Sequence, residues 1–280
     1  MKTSGERIRS SVVSGLFYPD EPEQIHAFFT SCGLTRSIPY GNREKMKNVR
    51  GIIAPHGAWN FSGKAAAEAF IACRSRRESI SRVVILGALH DPKRSGLFLS
   101  NSNFFKTPLG LLPVDEEAGE ELASCSTIFE INDNPHLREF SIEVLLPFVK
   151  YCFPAAAVVP ILMGFHSPPL VKALAAALNI VFGENRDKTL FIISTCLSKN
   201  KNSGRSFAQA ERFISLIDEG NGEAMGNEFH DGELSACGAP LAAACLECGL
   251  LSKKRSLVLS DIQQVPGNGG YICYGSIALG

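Results

Sequence analysis

His56 and His90 hold the most suggestive positions in this sequence. Each follows a short apolar run and a break of small residues. Gly51-Ile52-Ile53-Ala54 leads through Pro55 to His56, and Arg82-Val83-Val84-Ile85-Leu86-Gly87 leads through Ala88-Leu89 to His90. In open α/β sheets, ligands gather in the crevice beyond the carboxyl ends of strands, so imidazoles placed there can converge. The plainer alternative is two unrelated loop histidines. Cys237 lies in Ser235-Ala236-Cys237-Gly238-Ala239-Pro240, a turn just before an alanine-rich helical stretch. A thiol at a helix N-terminus is favoured as thiolate, which suits a metal ligand or a nucleophile. A small buried hydrophobe is otherwise the commoner fate of a cysteine.

Other apparent motifs fail. Five residues separate Gly57 from Gly63-Lys64, and Ala65 stands where a phosphate loop needs a hydroxyl. His136-Leu137-Arg138-Glu139-Phe140 approaches the H-x-x-E-H zinc pattern, but Phe140 replaces the second histidine. Cys245 and Cys248 form a lone C-x-x-C in an apolar run, which reads as core. No G-x-S-x-G elbow occurs.

The elements that would position these residues alternate. Strand-like runs at 51–54, 82–87, 158–162, 189–194, 256–259 and 271–277 are interleaved with helical segments near 63–76, 115–123, 141–151, 170–182, 207–217 and 241–250. Apolar strands between helices predict an α/β fold with a central sheet covered on both faces. With no linker, repeat or low-complexity tract in 280 residues, the expectation is a single domain over 1–280. The polar stretch 199–205 reads as a loop.

Twenty-eight basic and 28 acidic side chains cancel, so no global field draws nucleic acid or an anionic membrane, and neither partner is expected. The short basic run Lys45-Met46-Lys47-Asn48-Val49-Arg50 reads as a solvated approach to a strand. Nine cysteines, an odd count scattered through apolar segments, suggest free thiols in a reducing cytosol. No run reaches the roughly 20 apolar residues of a membrane span, and no apolar signal region follows the N-terminus, so a cytoplasmic protein is expected.

Taken in order, several segments resemble the MEMO-like family, known in microbes as AmmeMemoRadiSam system protein B. Gly15-Leu16-Phe17-Tyr18-Pro19 is similar to its opening G-x-F-Y-P element, and the stretch from Ala54 to Gly63 to its P-H-A-G-Y-x-Y-S-G. Further matches are Gly87-Ala88-Leu89-His90, Thr107-Pro108-Leu109-Gly110 to Val114-Asp115, the segment 136–143 with Leu146-Pro147-Phe148, and Ala236-Cys237-Gly238. The resemblance implies a fold like the class III extradiol dioxygenases. It also implies three metal ligands at His56, His90 and Cys237, with the cysteine in place of those enzymes' glutamate. Two imidazoles and a thiolate suit a borderline or soft metal: iron first, with copper or zinc as alternatives.

Two departures from the family touch the pocket. Glu139-Phe140-Ser141 stands where E-H-S is usual, and Thr195-Cys196-Leu197-Ser198-Lys199 where S-D-x-x-H is usual. The pocket is therefore expected to include Glu139, Phe140, Cys196 and Lys199, with Trp59 adding apolar surface and His136 facing the site as acid or base. Two functions follow from the resemblance: a metal-dependent oxidoreductase acting on a small molecule, or a non-catalytic binding protein whose cleft receives a protein partner or ligand.

Overall fold

A computed structural model of the chain describes residues 5–36, 49–165, 167–251, 256–267 and 269–280. Most of the basic run, Lys45 to Asn48, lies outside the described residues. The elements in chain order begin β1 (Ile8–Arg9), α1 (Pro22–Ser31), β2 (Gly51–Ala54), α2 (Trp59–Cys73), β3 (Arg82–Ala88) and β4 (Leu97–Leu99). They continue through β5 (Phe104–Thr107), β6 (Gly110–Pro113), α3 (Glu116–Cys125), β7 (Phe129–Ile131), α4 (Asp133–His136), α5 (Leu146–Cys152) and β8 (Ala157–Met163). Then come α6 (Pro168–Phe182), β9 (Thr189–Ser194), β10 (Ser198–Asn200), α7 (Ser203–Glu219), α8 (Gly222–His230) and α9 (Ala239–Glu247). The chain closes with β11 (Ser256–Val258), β12 (Gln263–Gly267), β13 (Gly270–Tyr274) and β14 (Ile277–Leu279).

The main sheet has eight strands in the order β11-β14-β2-β9-β3-β8-β4-β7. Its centre, β2-β9-β3-β8, is parallel, and β14 and β4 flank it antiparallel. Successive side chains on a strand face opposite ways, and here both faces are apolar and buried. Ile53, Val84, Leu86, Val159, Ile161, Phe191 and Ile193 pack on one face with α3, α6, α7 and α9. Ile52, Val83, Ile85, Val158, Leu162, Leu190 and Ile192 pack on the other with α1, α2 and α5. The expected α/β architecture, with helices on both faces of a central sheet, is present.

Two readings need correction. The stretch 199–205 is not a loop. Ser198–Asn200 pairs with β13 in a small second sheet, and the Asn202 side chain accepts from the Arg205 N–H to start α7. The Asn-Ser-Gly composition that read as loop is a helix-capping signal, and the strand is fixed by backbone pairing that side-chain pattern does not reveal. The run 271–277 is two strands: β13 belongs to the small sheet and β14 to the main one.

Candidate metal centre

β2 and β3 end below His56 and His90, and β9 lies between them, so the histidines flank a strand and do not follow adjacent ones. Their ring centroids are 5.4 Å apart. Cys237 comes from the other side, in the turn before α9. Gly238 lets that turn press against the end of β9, where a Cβ would lie 2.6 Å from the Thr195 Cβ; its N–H instead donates to the Thr195 Oγ1 at 2.8 Å. Cys237 Sγ thereby sits 3.5 Å from His56 Nε2. One ligand atom from each of His56, His90 and Cys237 falls within 4.8 Å of the others.

The neighbours decide which ring nitrogens are available. Ser194 gives its hydroxyl proton to the Ser141 carbonyl, so at 2.8 Å from His56 Nδ1 its oxygen accepts the ring N–H. Glu139 accepts from His90 Nδ1 at 3.0 Å and from the His90 backbone N–H at 2.7 Å. It also takes the N–H groups of Phe140 and Ser141. Both Nδ1 positions are thus committed to acceptors, and both Nε2 atoms are left to face the centre. Orientation of ligating histidines by such partners is the usual arrangement at metal sites.

Charge is arranged to match. An S–H from Cys196, 3.5 Å away, and the two nearby imidazoles hold Cys237 well below the ordinary thiol value despite burial. The same hydrogen bond, with burial, pushes Cys196 well above it. Burial opposes charge on His90, but the Cys237 and Glu139 partners outweigh it and lift its pKa to about 10. Some 38% of the His90 side chain meets solvent, so water screens part of that attraction. Tyr274, whose phenol abuts Gly57, is pushed up to about 12, chiefly by burial and then by the two sulfurs, and stays neutral.

A tetrahedral ion with bonds of about 2.0–2.1 Å to nitrogen and about 2.3 Å to sulfur sets its ligand atoms roughly 3.5 Å apart. The Cys237–His56 separation of 3.5 Å already fits, and the remaining ligand-atom separations are no more than 4.8 Å. His56 is buried, whereas His90 lines two cavities. One, of about 290 Å³, is walled by Met163, Phe165, Phe229, Leu241 and Cys237; the other, of about 490 Å³, by Arg94, Arg138, Glu139 and Phe140.

The remaining expected residues divide. Phe140 reaches the site, stacked on His90 at 5.0 Å and edge-on to His56 at 5.8 Å. Cys196 reaches it through Cys237. His136 does not: its ring is buried, its Nε2 lies 3.1 Å from the Phe98 carbonyl, and it packs edge-on to Phe105. Burial holds its pKa down at about 4, so it is a neutral structural imidazole facing away from the centre. Nor does Trp59, which donates its Nε1 proton to the Val144 carbonyl and packs among Tyr18, Phe28, Phe29 and Phe148 in the core. Lys199 is exposed on β10, and its backbone N–H donates to the Ser235 hydroxyl. Ser194, Ser141 and Tyr274 were not singled out in the sequence, because a serine or tyrosine at a strand end or in a turn carries no local signal. The segment 136–143 is clamped from the N-terminus: buried Arg9 pairs with buried Glu143 and donates to the His136 and Glu139 carbonyls.

The family described as Memo-like protein matches this chain over residues 9–261. The chain belongs to the Memo-like family. A MEMO1 family protein of Thermotoga neapolitana is 30% identical over 250 residues, covering 88% of this chain and 90% of that protein. Another from Thermotoga maritima is 30% identical over 235 residues, covering 82% and 84%. One from the archaeon Nitrosopumilus maritimus is 26% identical over 255 residues, covering 90% and 91%. This Memo-like chain carries nine free cysteines, and no helix among its described residues is long and apolar enough to cross a membrane.

Proposed function

We propose that this protein holds one metal ion at His56 Nε2, His90 Nε2 and Cys237 Sγ and uses it in redox chemistry on a small molecule. The supporting observation is the commitment of both Nδ1 atoms, to Ser194 and Glu139, which turns both Nε2 atoms toward one thiolate. Nothing in a merely packed cluster requires that. Iron is the first candidate and copper the second; zinc would give binding without electron transfer. When bound, the ion supplies a Lewis acid with positions open beyond its three protein ligands. The chain contributes positioning through Glu139 and Ser194 and a dry wall through Phe140. The apolar 290 Å³ cavity beside Cys237 and His90 is the proposed seat of the small molecule. Nine unpaired thiols suit a reducing compartment such as the cytosol.

A second reading, a binding protein without turnover, is favoured by Phe140. A ring that cannot move a proton covers His90 where the family usually has an imidazole, and His136 faces away. Asp91, at the cavity mouth, is engaged by the Lys93 N–H and by Arg94.

Metal analysis of protein purified without chelator tests the common premise. About one ion per chain is expected, falling to background in Cys237→Ala with an unchanged circular dichroism spectrum. Equal metal content in the two proteins would show that Cys237 is only packed.

A further inference from the structure

The Cys196–Cys237 pair is a second chemical feature of this site, distinct from ligation. Cys196 stands where the family usually has an aspartate, and its Sγ lies 3.5 Å from that of Cys237. The two sulfurs ride on loops tied to each other: Thr195 Oγ1 accepts from the Gly238 N–H and lies 3.6 Å from Cys237 Sγ. A disulfide needs a sulfur–sulfur distance of about 2.05 Å, so the pair must close by about 1.5 Å. Access is unequal. Cys237 lines the 290 Å³ cavity, whereas Cys196 is 7% exposed beneath it. A small oxidant reaches Cys237 first, with Cys196 beside it to resolve the product.

We propose that Cys196 and Cys237 form a peroxide-reactive dithiol whose oxidation to a disulfide excludes metal from the site. The Cys237 thiolate attacks one oxygen of hydrogen peroxide, the O–O bond breaks, and the second oxygen leaves as water after taking a proton. The resulting sulfenic acid is attacked by the Cys196 sulfur, which loses its proton as the S–S bond forms and a second water departs. Peroxide is reduced to two waters, and two thiols are oxidised to one disulfide. The disulfide leaves Cys237 without the thiolate that ligation needs. Exclusion of metal rests on the ligand set proposed above; the dithiol chemistry does not.

The test uses the full chain, stripped of metal or loaded with one ferrous ion, and treated with stoichiometric hydrogen peroxide. Free thiols are then alkylated and peptides read by mass spectrometry. In metal-free protein a cross-link between the Cys196 and Cys237 peptides is expected, reversible by dithiothreitol. Cys196→Ser should give no cross-link but a Cys237 sulfenic acid trapped by dimedone. Wild-type protein in which Cys196 stays alkylatable while Cys237 is oxidised would overturn the proposal, as would a cross-link from Cys237 to another cysteine. Metal loading should slow cross-linking at least tenfold. An equal rate in both forms would overturn the exclusion, and with it Cys237 as a ligand, while the dithiol stands.

Discussion

Replacing Glu139 by glutamine tests whether the centre is positioned or merely adjacent. The carboxylate is 3% exposed and receives four N–H groups: three at Oε1, from His90 Nδ1, Phe140 and Ser141, and one at Oε2, from the His90 backbone. A glutamine in the same place keeps its oxygen over the three donors and turns its NH2 against the His90 backbone N–H. One buried donor then loses its acceptor, at a cost of about 1–3 kcal/mol. At roughly 2–4 °C per kcal/mol for chains approaching this size, Tm should fall by several degrees. The neutral amide also holds the His90 ring less firmly with Nε2 inward. Loss of such a partner usually weakens metal binding about 10–100-fold, or about 1.4–2.7 kcal/mol. Competition with a chelator of known affinity reads the second effect, and thermal unfolding of metal-free protein reads the first. A Kd within about twofold of wild type, accompanied by the expected fall in Tm, would leave Glu139 a structural carboxylate and refute the positioning argument.

Three further outcomes follow from the same geometry. Metal affinity should climb with pH from neutrality to about 10. Below that value His90 is cationic in the metal-free protein, and the incoming ion must displace its proton, whereas Cys237 is already a thiolate. Calorimetry at pH 7 in buffers of differing ionisation enthalpy should show about one proton released per ion; none, or two, contradicts this assignment. Iron-loaded protein should cleave catechols slowly or not at all, because Phe140 cannot transfer a proton. Phe140→His with Cys196→Asp should improve metal retention by more than the two single changes combined, since both would act in one network. Rapid ring cleavage by the unmodified protein would defeat that reasoning.

The legible parts of this site were those written in contiguous residues. Gly51–Ala54, Arg82–Ala88 and Thr189–Ser194 are built on the apolar runs 52–54, 83–86 and 190–193, and buried parallel strands require just that pattern. Their order was not legible. Placing β9 between β2 and β3 brings Ser194 under His56, through a contact between residues far apart in sequence. Trp59 misled for a similar reason. It sits three residues beyond His56, but Phe28 and Phe29 of α1 draw its ring into the core. His136 closes a short helical turn capped by Asn132, and that turn directs its ring to the Phe98 carbonyl. Sequence spacing places a Cα near a site; the direction of the side chain is set by partners that spacing does not contain.

Charge arithmetic links the ligands to the kind of ion they suit. Without metal, the Cys237 thiolate and the Glu139 carboxylate face one His90 imidazolium, a local sum of minus one. Cys196 and Tyr274 keep their protons. Exchanging the His90 proton for a divalent ion brings that sum to zero. A monovalent ion leaves it at minus one, and a trivalent ion takes it to plus one. With Glu139 shut away from water and the Phe140 ring laid over His90, solvent screens an imbalance only from the open side of the cleft, and interactions between charges are stronger there than in bulk water. The protein groups alone therefore favour the divalent state, and a sustained one-electron change would require a compensating proton or a charged ligand from the cavity. Phe140 cannot supply that proton and His136 is turned to the Phe98 carbonyl, which leaves Cys196, Tyr274 or the small molecule itself as its source.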